Sequence, residues 1–123
     1  MRLAVPLACL ILLAAGQAHA ECVVPPFRGA TSAAGATATM TMTKDSTCSF
    51  QLFVDVPNTV PFSTTNVTNP PKAGAVSTDR QYVRYRPRPG YTGPDTFTLA
   101  LAGTTQKGQP LLGSVTVQVT VNP

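Results

Sequence analysis

Leu112 to Val121 reads L-G-S-V-T-V-Q-V-T-V. Val115, Val117, Val119 and Val121 alternate with Ser114, Thr116, Gln118 and Thr120. Side chains along a β-strand point to opposite faces in turn, so a period of two marks a strand with one apolar and one polar face. The β-branched residues that fill it suit a pleated, half-buried surface. A helix needs apolar residues three and four apart, and no window after the first twenty residues holds such a stripe.

Towards the N-terminus the same rhythm returns. Asp95 to Ala102 points Phe97, Leu99 and Leu101 inward. Arg80 to Arg86 points Val83 and Tyr85 inward and Tyr82, Arg84 and Arg86 outward. Cys48 to Val56 sets Cys48, Phe50, Leu52, Val54 and Val56 against Ser49, Gln51, Phe53 and Asp55. Gly35 to Lys44 sets Ala36, Ala38, Met40 and Met42 against four threonines. Val60 to Thr65 reads as a short edge strand, because Pro61 has no N–H to give a central ladder. Val23-Val24 reads as a short first strand. Between these runs, Lys44-Asp45-Ser46-Thr47 is expected as a hairpin loop and Asn66 to Thr78, with Pro70-Pro71 and Gly74, as a long loop. Pro87 to Pro94 and Gly103 to Pro110 are the remaining connections. About seven short strands in about 100 residues predict an all-β antiparallel sandwich, with a small barrel as the alternative.

The first twenty residues follow other rules. Arg2 gives a positive start, Leu3 to Ala15 is almost wholly apolar, and Ala18-His19-Ala20 is a small-x-small exit. That order defines a cleavable signal peptide, residues 1–20, and predicts an exported protein, periplasmic or secreted. The apolar run is shorter than the roughly 20 residues of a membrane span. Lipid attachment at Cys22 is disfavoured by Glu21, since such sites want a small residue there. Residues 21–123 form one domain.

Removal of residues 1–20 leaves 103 residues with eight Lys and Arg against five acids, a net charge of +3. That is too mild an excess for nucleic-acid binding. The only histidine, His19, leaves with the signal, as does Cys9. The remaining pair, Cys22 and Cys48, is expected as a disulfide in an oxidising compartment. A bridge closing about 27 residues stabilises by about 3.5 kcal/mol through loop-closure entropy. The two are too far apart for the C-x-x-C spacing of a redox pair.

Tyr85 to Leu99 reads Y-R-P-R-P-G-Y-T-G-P-D-T-F-T-L. It resembles a segment of bacterial immunoglobulin-like and cadherin-like domains, usually Y-x-P-x-x-G-Y/F-x-G-x-D-x-F. Tyr85, Pro87, Gly90, Tyr91, Gly93, Asp95 and Phe97 fall on that pattern. The resemblance implies an immunoglobulin-like sandwich and, in such families, a repeat within a long surface protein or adhesin. This chain departs in reading as a single domain. It also carries Ala102-Gly103-Thr104-Thr105 where relatives often have an acidic D-x-x-G hairpin. The residues support the same turn: Gly90 and Gly93 permit positive φ, and Asp95 can accept backbone N–H groups. Tyr91 and Phe97 give aromatic bulk to close one end of the sandwich. A calcium-ligand role for Asp95 would need several converging carboxylates, and the five acids are scattered.

Nucleophilic catalysis needs an activated Ser or Cys with a base, and the mature chain has no histidine and no unpaired cysteine. Lys44, Lys72 and Lys107 fall in expected loops, and the spacing of the aspartates pairs none of them for glycoside hydrolysis. The chain therefore reads as non-enzymatic, without cofactor or metal. Met40-x-Met42 has the spacing of a soft-metal site, which would make a copper-handling protein, but it also continues an apolar strand face. The strongest binding signal is Arg80, Tyr82, Arg84, Arg86 and Arg88. The last three arginines recur at every second residue, about 6.6 Å apart on one strand face. Such a stripe suits carboxylate or phosphate groups of an envelope protein or an acidic glycan or lipid. Its structural alternative is a solvated strand whose charges block edge pairing. The overall expectation is a binding or structural module at the cell envelope. A small inhibitor or ligand-binding protein acting through the loop from Asn66 to Thr78 is the competing reading.

Overall fold

The computed structural model describes residues 20–53, 61–105 and 107–123. Eight strands lie among them: β1 (Cys22–Val23), β2 (Ala36–Thr43), β3 (Cys48–Gln51), β4 (Thr64–Asn69), β5 (Gly74–Asp79), β6 (Tyr82–Pro87), β7 (Gly93–Thr104) and β8 (Pro110–Asn122). They form two sheets, one ordered β1-β2-β8-β7-β4 and the other β3-β6-β5. The expected sandwich is therefore present, with open sheets rather than a closed barrel. Among the described residues no helix is long and apolar enough to cross a membrane.

Alternation places the core. Val115, Val117, Val119 and Val121 of β8, Phe97, Leu99 and Leu101 of β7, and Ala36, Ala38, Met40 and Met42 of β2 are buried. They join one cluster with Leu52, Phe62, Val83 and Tyr85. Each large side chain so buried contributes about 1.5–3 kcal/mol of transfer free energy. Phe50 is half-buried and meets Phe27 edge-on, ring centroids 6.5 Å apart. Cys22 and Cys48 are bridged, with Cα atoms 5.3 Å apart. The bridge ties the β1 edge of one sheet to the β3 edge of the other.

Four expectations change. The sandwich is not wholly antiparallel, since β2 runs parallel to β8 from Ala36 opposite Val115 to Thr43 opposite Asn122. Lys44 to Thr47 is no hairpin loop, because β2 and β3 lie in different sheets and the segment carries the chain between them. Asn66 to Thr78 is not a long loop. It holds most of β4 and β5, joined by a short crossover at residues 70–73. A protruding inhibitory or ligand-binding loop is thus not formed there. The edge strand expected at Val60 to Thr65 is replaced by β4, and Pro61 makes only an isolated bridge to Phe53. Val54, Val56 and Val60, like residues 1–19 of the expected signal, lie outside the described residues.

Glu21 lies against the ends of β2 and β8. The Glu21 N–H donates to Thr43 Oγ1 at 2.8 Å, and the Thr43 N–H donates to the Glu21 carbonyl at 3.2 Å. Asn122 Nδ2 donates to Glu21 Oε1 at 3.1 Å.

Candidate functional site

Strand β6 is the middle of the three-stranded sheet. Val83 and Tyr85 point into the core and Tyr82, Arg84 and Arg86 point out, as the period of two requires. The register sets what surrounds them. Ser49 of β3 and Ser77 of β5 flank Arg84, Gln51 and Asp79 flank Tyr82, and Ala75 lies beside Arg86. These short neighbours leave the two guanidiniums standing above the sheet. Among the described residues neither guanidinium has a carboxylate or hydrogen-bond partner. Tyr82 is 50% exposed. It borders a hollow of about 280 Å³ shared with Ser49, Ser77, Asp79 and Arg84.

The other two arginines of the expected stripe are placed differently. Arg80 sits in the two-residue turn between β5 and β6 at φ 57°. Its carbonyl accepts the Thr65 hydroxyl at 2.6 Å, tying that turn to β4 of the facing sheet. Arg88 follows the end of β6, and its N–H donates to the Ala73 carbonyl at 2.8 Å. Its guanidinium carbon lies 5.1 Å from the centre of the Tyr91 ring, and Nη1 reaches the Lys72 carbonyl at 3.5 Å. Arg88 is therefore engaged at the corner of the sandwich, while Arg84 and Arg86 have no such contact among the described residues. Lys72, which the sequence placed in a loop without a role, lines a hollow of about 410 Å³ together with Arg86 and Arg88.

Directly behind the stripe lies a buried anchor. Asp95 of β7 is 9% exposed. Its carboxylate accepts the Tyr85 hydroxyl at 2.7 Å and the N–H groups of Lys72, Ala73 and Thr96 at 3.0, 3.1 and 2.9 Å. Two of these donors belong to the crossover between β4 and β5, so one side chain pins that crossover to β7 and β6. Burial alone pushes the Asp95 carboxyl up. The hydrogen bonds from Tyr85, Lys72, Thr96 and Ala73 outweigh it and hold the group below its ordinary value. Burial, and then the bond to Asp95, push the Tyr85 hydroxyl well above its ordinary value. The Tyr85 and Phe97 rings stack at 5.6 Å. With four donors on its two oxygens, Asp95 is saturated by the protein itself, as suits a structural residue rather than a calcium ligand.

The turn from β6 to β7 is held by backbone conformation and by two hydrogen bonds. Gly90 and Gly93 adopt φ of 76° and 123°, which L side chains rarely tolerate. The Gly90 N–H donates to Asp45 Oδ1 at 2.8 Å, and the Tyr91 hydroxyl donates to the Pro94 carbonyl. Met40 and Met42 are fully buried in the core cluster, which is packing rather than an open soft-metal site.

No curated protein and no solved structure shows significant similarity to the chain. A family model described as bacterial Ig domain matches residues 28–122. That span runs through the arginine strand, the Asp95 anchor and the closing β7–β8 hairpin, and the chain belongs to the bacterial Ig domain family.

Proposed function

We propose that this domain is an exported, non-enzymatic binding module that docks an anionic component of the cell envelope on the outer face of β3-β6-β5. The position of β6 carries the reading. Charged side chains on an edge strand serve to block pairing with other chains. Strand β6 is paired on both sides, so Arg84 and Arg86 have no such task. Two guanidiniums at alternate positions, without a partner among the described residues, offer bidentate contacts to carboxylate or phosphate. Export is supported by the charge, apolar run and small-residue exit of residues 1–20, and by the Cys22–Cys48 bridge. A non-enzymatic role is supported by membership of an immunoglobulin-like family and by a mature sequence without histidine.

Retention on envelope fractions tests the proposal, comparing wild type with the Arg84→Gln, Arg86→Gln double variant at low and high salt. The wild type should be retained at low salt and released as salt rises, because the attraction is largely charge-based. The variant should pass through at both. Equal retention of the two proteins under all conditions would reduce the face to solvated charge.

A further inference from the structure

We infer that the anion docked on this face is an acidic polysaccharide, with one sugar ring lying on Tyr82 and the carboxylate of a uronate unit held by Arg84. The inference rests on the docking reading above and names its ligand. Three features of the patch point the same way.

The first is the exposed ring. Tyr82 is half exposed on the middle strand of its sheet, at the end where β6 leaves the β5–β6 turn. An aromatic side chain so placed offers a flat apolar surface with a polar rim, which matches the C–H face of a pyranose. The second is the set of neighbours. Ser49 and Ser77 beside Arg84, and Gln51 beside Tyr82, offer short hydroxyl and amide groups that donate to or accept from sugar hydroxyls. The third is Asp79, directly opposite Tyr82 in the ladder. A carboxylate there repels a polyanion that lacks neutral hydroxyls, such as polyphosphate, and the dense charge of an anionic bilayer, but it accepts hydrogen bonds from the neutral hydroxyls that every uronate ring still carries. The patch thus has a polarity: hydroxyl-bearing ring at Tyr82 and Asp79, acid at Arg84. Arg86, one step further along the strand, meets the next acidic unit.

A direct binding assay on the purified exported protein decides it. The probes are polygalacturonate and alginate as uronate polymers, methyl-esterified galacturonan as the uncharged counterpart, polyphosphate, and vesicles of phosphatidylglycerol. At least one uronate polymer should bind in a salt-sensitive way and the esterified polymer should not. Tyr82→Ala should weaken uronate binding about tenfold, the size expected for loss of one stacking platform. Tyr82→Phe should retain it, and Asp79→Asn should strengthen polyphosphate binding. Melting curves of each variant establish that the fold persists. Equal binding of all polyanions, lost on Arg84→Gln but unmoved by Tyr82→Ala, would overturn the sugar assignment and leave the docking reading standing. Tighter binding to vesicles or polyphosphate than to either uronate would also overturn it. Absence of binding to both uronates would overturn it whatever the envelope fractions retain.

Discussion

Strand β6 carries two polar systems back to back. On its inner face Tyr85 gives its hydroxyl to Asp95, whose carboxylate takes three further backbone donors. On its outer face Arg84 and Arg86, the residues on either side of Tyr85, reach into solvent between serine and alanine neighbours. The same three-residue stretch therefore holds a polar group that the fold consumes and two that it leaves alone. Inside, each hydrogen bond lost leaves a buried partner unsatisfied, at about 1–3 kcal/mol. Outside, water replaces whatever a guanidinium loses. Polar residues behind the sheet answer to stability, and those in front answer to whatever arrives from solution.

The sharpest way to break that contrast is from the inside. Asp95→Ala orphans the Tyr85 hydroxyl and two N–H groups of the β4–β5 crossover, and should cost about 3 kcal/mol, read as a large drop in melting temperature. Addition of calcium should restore none of it. Acid separates charge from shape in the same anchor. The Asp95 carboxyl is held below its unfolded value, so its contribution is present above about pH 4 and is lost as pH falls through the lower folded value. The gap in melting temperature between wild type and Asp95→Asn should therefore narrow as the solution is taken below about pH 4. A gap of constant width would assign the anchor's stability to packing alone.

Tyr85→Phe removes one of the four donors and keeps the ring against Phe97. It should cost about 1 kcal/mol, clearly less than the aspartate. An equal loss for the two variants would mean that the crossover N–H groups contribute nothing. Smallest of all is the outer face. Arg84→Gln with Arg86→Gln should move stability by less than about 0.5 kcal/mol, since exposed substitutions seldom do more. A substantial destabilisation there would erase the contrast and make the stripe part of the fold.

What the sequence disclosed follows from how local each signal is. Faces were legible wherever β-branched and aromatic residues alternate cleanly, as in β2, β6, β7 and β8. Strands β4 and β5 were hidden because Thr64–Asn69 and Gly74–Asp79 present weak apolar faces: Thr65 is the buried residue of β4, and Val67 and Val76 are only partly covered. Pro70-Pro71 and Gly74 then made the whole stretch resemble a loop. Which strand pairs with which was not local information at all, so the parallel β2–β8 pair and the sheet change at Lys44 to Thr47 could not be read. The outward aim of Tyr82, Arg84 and Arg86 was legible from parity. The separation of Arg88 was not, because its partners Tyr91 and Lys72 come together only through the turn and the crossover.

The contact between Glu21 and Asn122 has a consequence for how the chain can be rewired. Strands β2 and β8 run parallel, so their free ends lie at opposite poles. Strand β1 runs antiparallel to β2, which brings Glu21 to the pole where β8 finishes. A linker of a few residues between Asn122 and Glu21 would close the backbone into a ring, and a cut at the exposed Lys107-Gly108 turn would reopen it with β8 ahead of β1. Such a circular permutant keeps every pairing of both sheets and changes only their order of synthesis. In this sandwich the order of strands along the chain is separable from their order in space.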